Sequence, residues 1–108
     1  MDRHRLAEER SVAYHAVIAG RLPYQPDILA AARRRVAGWL ADGVPAPAAA
    51  ARWSAVLAQD LPAIAAFLVE RSDIADELRQ SSPFAGALRP RERWQIWREV
   101  RDRTAPRP

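Results

Sequence analysis

Apolar residues recur at helical spacing along most of the chain. They repeat about one turn apart in residues 3–21, and the same period returns in residues 26–41 and 47–59. The apolar positions are Leu6, Ala13, Tyr14, Val17 and Ile18, then Leu29, Ala32, Val36, Trp39 and Leu40, then Ala49, Trp53, Val56 and Leu57. The period predicts three amphipathic helices that each turn one face toward a core.

Glycine and proline mark the ends of these helices. Gly20 and Pro23 end the first helix, and Pro26 suits the first turn of the second. Gly43 is a good left-handed stop for the second helix, and prolines beyond it prevent continuation. The third helix follows this proline-containing connector.

Two short helices are predicted next. Asp60 caps a helix that begins at Pro62, and this helix is apolar almost all round, which predicts a position at the centre of the core. Ser72 caps another helix, with Asp73 and Asp76 in its first turn, where acidic groups favour the helix dipole.

The stretch SSPFAGALRPRERWQIWREVRDR, residues 81–103, has the densest set of turn and helix-start signals. Ser82 caps a tight helical turn, which Phe84 plugs and Gly86 closes. The last helix covers about residues 90–102, and its apolar face consists of Trp94, Ile96, Trp97 and Val100.

The sequence therefore predicts an all-α single domain of five to six helices, two of them short. The domain covers residues 1–104, and residues 105–108 form a disordered tail. A chain of 108 residues has room for one core. The predicted core consists of Leu6, Val17, Ile18, Leu29, Val36, Leu40, Trp53, Leu57, Ile64, Leu68, Leu78 and Phe84.

Composition excludes several kinds of chemistry. The chain has no cysteine, which excludes disulfides, zinc–thiolate sites and cysteine nucleophiles. No apolar run approaches a membrane span, and the charged N-terminus lacks the apolar core of a signal peptide. We therefore expect a cytoplasmic protein with no cofactor, no metal site and no membrane partner.

Charge is unevenly distributed along the chain. Residues 60–77 have five acids against one arginine, a net charge of −4, and residues 89–107 have seven arginines against three acids, a net charge of +4. These two stretches either pair within the fold or each face a partner. All 17 basic residues are arginine, a pattern typical of GC-rich codon usage. The overall charge of +4 is therefore weaker evidence for nucleic-acid binding than the charge alone would suggest.

A catalytic triad of Glu8, Ser11 and His15 fails on geometry. The histidine of a triad lies between acid and nucleophile, whereas here the serine is in the middle. Glu8 and His15 are also about 10 Å apart along the helix axis. His15 is predicted at the boundary of the core and His4 at the surface. The sequence predicts no catalytic residue and no enzyme. A buried arginine or acid lining a deep apolar pocket would make an enzyme a candidate again.

Arg33, Arg34 and Arg35 form a basic triplet on the second helix. The triplet spans about 200° of the helix, which favours a solvated face, and contact with phosphate groups is the alternative. Together with Arg103 it makes up the candidate site for the alternative function, a regulatory module that binds nucleic acid. Such a module should bind more weakly as salt rises.

The last helix allows three interpretations. In the first, both tryptophans close the core and the arginines are solvated. In the second, one tryptophan and several arginines form a protein interface. In the third, the arginines follow a phosphate backbone while an indole stacks on a base. Interleaved glutamates oppose the third, because they reduce the positive field. The candidate partner-binding residues are Arg91, Trp94, Trp97, Arg98 and Arg101.

Two stretches, ERSVAYHAVIAGRL near the start and SSPFAGALRPRERWQIWREVR near the end, resemble a group of small bacterial helical proteins of about this length. The most specific part is SPFAG followed by PRERWQIWR. Members of this group are associated with two-gene toxin–antitoxin-like operons. The resemblance implies an interaction protein and leaves its target open. It implies no catalytic residues. The leading hypothesis is a non-enzymatic, antitoxin-like protein that neutralises a partner toxin or enzyme by masking its surface, with the partner encoded by a neighbouring gene.

Overall fold

The computed structural model describes residues 3–43 and 47–105, and within these ranges the chain forms six helices and no strand. The helices are α1 (Arg3–Arg21), α2 (Pro26–Asp42), α3 (Pro47–Leu57), α4 (Leu61–Leu68), α5 (Asp73–Arg79) and α6 (Pro90–Thr104). This confirms the predicted all-α fold, with α4 and α5 as the two short helices. No helix of the described residues is long and apolar enough to cross a membrane. The predicted tail lies largely outside the described residues.

Most helix ends lie where the sequence predicts them. Gly43 ends α2 in the left-handed conformation, with φ 75°, and donates its N–H to the carbonyl oxygen of Trp39 at 2.8 Å. Asp60 and Ser72 cap α4 and α5, because their side-chain oxygens accept N–H groups from the first turn of each helix at 3.0 and 3.1 Å. The predicted turn after Ser82 is a hydrogen-bonded turn rather than a helix, with Gly86 at φ 89°.

Trp53 lies at the centre of a single hydrophobic core. Its side chain is fully buried, and its ring makes edge contacts with Phe67 and Phe84, with centroids 5.7 and 6.2 Å apart. The indole N–H donates to the carbonyl oxygen of Leu78 at 3.1 Å. Helix α4 contacts α1, α3 and α5, which confirms its predicted central position.

Nine of the twelve predicted core residues are buried. These are Ile18, Leu29, Val36, Trp53, Leu57, Ile64, Leu68, Leu78 and Phe84. The prediction for Leu40 is wrong, because it is half exposed in the last turn of α2, about 80° around the helix from buried Ala32. The half-buried residues Leu6 and Val17 lie on the far side of α1 from His15.

The buried face of α1 is centred on a polar residue. His15 is 5% exposed, and the apolar residues Val12 and Ile18 flank it one turn away on either side. The apolar positions predicted for this helix include Val17, which lies about 200° around the helix from His15, so the apolar pattern alone does not identify the buried face. His15 is therefore buried rather than at the boundary.

Side chains from other parts of the chain bind the C-terminal carbonyl groups of three helices. Such carbonyls have no partner within their own helix. The pairs are Arg33 with Leu57 at 2.9 and 3.2 Å, Arg79 with Leu68 at 3.3 Å, and Trp53 with Leu78 at 3.1 Å. The two arginines also place positive charge at the negative ends of α3 and α4. These hydrogen bonds join α2 to α3, α5 to α4 and α3 to α5.

Candidate functional site

The five candidate partner-binding residues share one face of α6. At about 100° per residue, Arg91, Trp94, Trp97, Arg98 and Arg101 fall within an arc of about 120° centred on Trp94. The opposite side of the helix faces α1 and contains Val100, which is buried, and Ile96, which is half-buried. The structure therefore brings all five residues together, and we refer to them as the α6 face.

The two tryptophans of this face stack on each other. Their ring centroids are 5.1 Å apart and their planes differ by 14°. Trp94 is 58% exposed, whereas Trp97 is half-buried against the protein. Trp94 is therefore the exposed indole, and Trp97 supports it from below.

Arginines surround this aromatic pair. The guanidinium groups of Arg10 and Arg101 lie over the Trp97 ring at 5.9 and 5.1 Å from its centroid. Arg93 lies over the ring of Tyr14 at 5.4 Å. Cation–π contacts at exposed sites contribute about 0.5–1 kcal/mol each, so they favour this arrangement of rings and arginines.

The same residues line a shallow groove between α1 and α6. It has a volume of about 490 Å³ and is lined by Arg10, Tyr14, Pro90, Arg93, Trp94 and Trp97. Arg10 and Tyr14 belong to α1, so sequence reasoning on α6 alone missed their part in this surface. Only their i, i+4 spacing marks them as neighbours, and nothing in the sequence pairs α1 with α6.

The remaining arginines of the α6 face are exposed. Arg101 also approaches the carboxylate of Asp102, at 3.6 Å, but both side chains are more than half exposed, so this pair contributes little to stability. Glu92 does not compete with these arginines. Its carboxylate forms an ion pair with Arg21 of α1, and this hydrogen bond lowers the pKa of Glu92.

The basic triplet of α2 is arranged differently. Arg33 donates to the carbonyl oxygen of Leu57, and Arg35 donates to those of Pro83 and Ala85. Arg34 is exposed on α2, and Arg103 is exposed on α6. Two of the four candidate nucleic-acid residues therefore bind main-chain carbonyls of their own protein.

The acidic stretch does not pair with the basic helix. Among the described residues, the ion pairs of 60–77 are Arg71 with Glu9 of α1, which lowers the pKa of Glu9, and Asp76 with Arg79. Asp60, Glu70, Asp73 and Glu77 are exposed. Of the two sequence-based alternatives for these stretches, pairing within the fold is wrong for the described residues.

A second and deeper cleft lies beside the groove, between α1 and the segment that follows α5. It has a volume of about 790 Å³ and includes His15, Arg79 and Ser82 in its wall. Because Arg79 is buried, the cleft meets the condition under which the sequence-based exclusion of an enzyme is open again. The imidazole Nδ1 lies 2.7 Å from the main-chain oxygen of Ser11, and Nε2 lies 2.8 Å from Ser82 Oγ. A carbonyl oxygen only accepts, so Nδ1 carries the proton and Nε2 accepts the Ser82 hydroxyl hydrogen.

Glu8, by contrast, has no contact with His15. Its carboxylate lies 2.9 Å from Nε2 of His4, at the surface of α1. Glu8, Ser11 and His15 therefore do not form a triad. Within the described residues there is no group of three or more His, Cys, Asp or Glu side chains that could hold a metal ion.

Burial lowers the pKa of His15, and the nearby charge of Arg79 lowers it further, against a raising effect of the hydrogen bond to Ser11. The unfolded chain binds a proton at an ordinary pKa near 6.5, whereas folded His15 stays neutral to lower pH. We therefore expect the free energy of unfolding to fall as pH drops below about 6.5, by at most about 1.4 kcal/mol per pH unit.

Urea unfolding between about pH 7.5 and about pH 5.5 measures this slope. His15→Gln should remove most of the slope, and His4→Gln, which changes the exposed histidine of the same helix, should keep it. An unchanged slope in H15Q would show that another group titrates in this range.

Comparison of the chain with family models, with curated proteins and with solved structures gave no match.

Proposed function

We propose that this protein is a non-enzymatic binding module of the antitoxin type, which neutralises a partner enzyme by covering its surface with the α6 face. The observation that carries this proposal is the stacked pair of Trp94 and Trp97, with its outer indole exposed among arginines. An exposed tryptophan that is held rigidly at the surface is typical of a protein interface.

The stacking contact lowers the entropic cost of binding. Trp97 holds the ring of Trp94 in one orientation, and Arg10 and Arg101 hold Trp97 in turn. A side chain that is already fixed loses less freedom when a partner covers it. Trp94 is therefore suited to fill an apolar pocket on the partner.

The charge of the α6 face indicates what kind of partner surface it would bind. Arg91, Arg98 and Arg101 lie on the same face as Trp94 and are exposed, so they are available to pair with carboxylates. Such pairs at an interface rim guide association and select the partner more than they add affinity. The expected partner is an acidic protein with an apolar pocket, encoded by a neighbouring gene.

Co-purification tests the proposal. The tagged chain is expressed together with the protein encoded beside it, and the complex is captured and its dissociation constant measured. We expect Trp94→Ala to weaken binding by about 2 kcal/mol or more, roughly thirtyfold, because a central tryptophan anchor is lost. The partner enzyme should be inhibited by the wild-type chain and recover activity with W94A.

Tyr24→Ala is the matched control. Tyr24 is 84% exposed in the turn between α1 and α2 and belongs neither to the α6 face nor to the lining of the groove, so its loss should leave binding unchanged. Recovery of the chain without the neighbour-encoded protein would contradict the proposal. So would equal losses in Y24A and W94A. A salt-sensitive shift of duplex or single-stranded probes at low salt would favour the nucleic-acid alternative instead.

A further inference from the structure

The cleft that contains His15 is of the right size for a small molecule. Its volume of about 790 Å³ lies within the range of ligand sites in proteins. Its apolar surface comes from Ile18, Trp39, Phe84 and Leu88, and Tyr14 adds a third aromatic ring. Phe84 is almost fully buried, so the ring surface open to a ligand comes mainly from Trp39 and Tyr14, which are half-buried.

The charges around this cleft are all positive. Arg10, Arg79 and Arg93 are part of its lining, and no aspartate or glutamate lines it within the described residues. Asp76 forms an ion pair with Arg79 but is not part of the lining. A ligand with a negative charge is therefore favoured over a neutral or cationic one.

Arg79 has a buried donor group without a partner. The residue is 4% exposed, and its two terminal nitrogens donate to Asp76 and to the Leu68 carbonyl oxygen. Its Nε is buried and has no hydrogen-bond partner in the described part of the chain. A buried N–H without an acceptor is costly, but this atom has almost no surface that a ligand could reach, so the cations available to a ligand in the cleft are Arg10 and Arg93.

Next to Arg79, the hydroxyl group of Ser82 is held in place. It donates to His15 Nε2 and accepts the main-chain N–H of Phe84 at 3.1 Å. Two further serines, Ser11 and Ser81, line the same cleft. Fixed polar groups next to apolar side chains in one cleft are typical of sites that orient a small ligand.

We propose that this cleft binds a small aromatic carboxylate, whose ring lies against Trp39 and Tyr14 and whose carboxylate is held by Arg10 and Arg93. None of the five residues of the α6 face lines this cleft, but Arg10, Tyr14 and Arg93 line both the cleft and the groove beside that face. A ligand in the cleft can therefore influence the groove, and the two proposals are tested separately, by the titration below and by co-purification.

A pair of probes of equal shape tests the proposal. The chain labelled with ¹⁵N is titrated with 2-naphthoate and, separately, with 2-naphthamide, and amide and indole shifts are followed by NMR. We expect saturable shifts at His15, Ser82 and the Trp39 indole. Naphthoate should bind at least about tenfold more tightly than naphthamide, because only the carboxylate makes charge-assisted hydrogen bonds.

Two variants show which arginine is responsible for the preference for the carboxylate probe. Arg93→Gln removes an exposed arginine from the rim of the cleft, and naphthoate affinity should fall several-fold while naphthamide affinity stays the same. Arg91→Gln is the matched control, since Arg91 is exposed on the same helix but does not line the cleft. Thermal unfolding of both variants confirms that the fold is retained.

Three results would overturn the proposal. The first is equal affinity for naphthoate and naphthamide, and the second is equal loss of naphthoate affinity in R91Q and R93Q. The third is the absence of saturable shifts at the cleft for naphthoate up to its solubility limit, including the case in which shifts occur only at Trp94.

Discussion

Trp53→Ala is expected to lower the free energy of unfolding by about 3–5 kcal/mol, a large part of the total for a domain of this size. The side chain is fully buried, and it contacts Phe67 and Phe84 edge to face. Its removal leaves a cavity among α3, α4 and the turn that contains Phe84, and it also removes the hydrogen bond to Leu78.

Urea unfolding followed by helical circular dichroism measures this loss. Trp94→Ala is the matched control, because it removes the same atoms from a surface position that is 58% exposed. Trp53→Phe keeps a large ring and should cost less than the alanine variant. If W53A and W94A unfold at the same urea concentration, Trp53 is not the centre of the core.

Asp76→Asn has the second largest expected effect, a loss of about 3 kcal/mol. The guanidinium of Arg79 is buried, and Asp76 is its counter-charge. Without the carboxylate, Arg79 remains a buried cation with no opposite charge in contact. The loss should be at the lower end of the range for buried pairs, because 24% of the Asp76 side chain is exposed.

Asp73→Asn is the control for this variant. Both residues lie in the first turn of α5, so both favour the helix dipole, but Asp73 is exposed. Urea unfolding of the two variants separates the ion pair from the dipole effect. The double variant D76N/R79M should recover part of the loss, because it removes the buried charge as well. Equal stability of D73N and D76N would show that the pair contributes nothing specific.

The two tryptophans named from the sequence prove to have different roles on one helix. Trp94 is exposed and Trp97 is half-buried beneath it, although both lie on the apolar side of the predicted helix. The spacing of residues shows which side chains share a face of the helix, but it does not show how deeply each one is buried. Burial depends on where α1 packs against α6. The arginine and tyrosine of α1 that complete this surface come from more than 75 residues away in sequence and show no local signal.

The second cleft could not be predicted from the sequence for a related reason. Its polar wall combines His15 of α1, Arg79 at the end of α5 and Ser82 in the following turn. In the sequence, each of these residues has an ordinary local explanation: His15 is a residue at the boundary of the core, Arg79 is a cation at the C-terminus of a helix, and Ser82 is a cap. Only packing brings them together and buries them.

The sequence by itself determined the all-α class, the order of the helices and most of their ends. These features depend on local energetics: the 3.6-residue period, the capping oxygens of Asp60 and Ser72, and the left-handed glycines Gly43 and Gly86. It also grouped the residues of the α6 face, because helical geometry fixes which positions share a side.

The tertiary structure alone decided which polar groups are buried and which apolar ones are not. His15 is buried because the distant Ser82 offsets the cost of removing it from water, and Arg79 is buried because its neighbour Asp76 and the carbonyl of Leu68 together do the same. Leu40 is exposed because it lies at the edge of the buried stripe in the last turn of α2. Burial depends on the relative positions of whole helices, and long-range contacts set these positions.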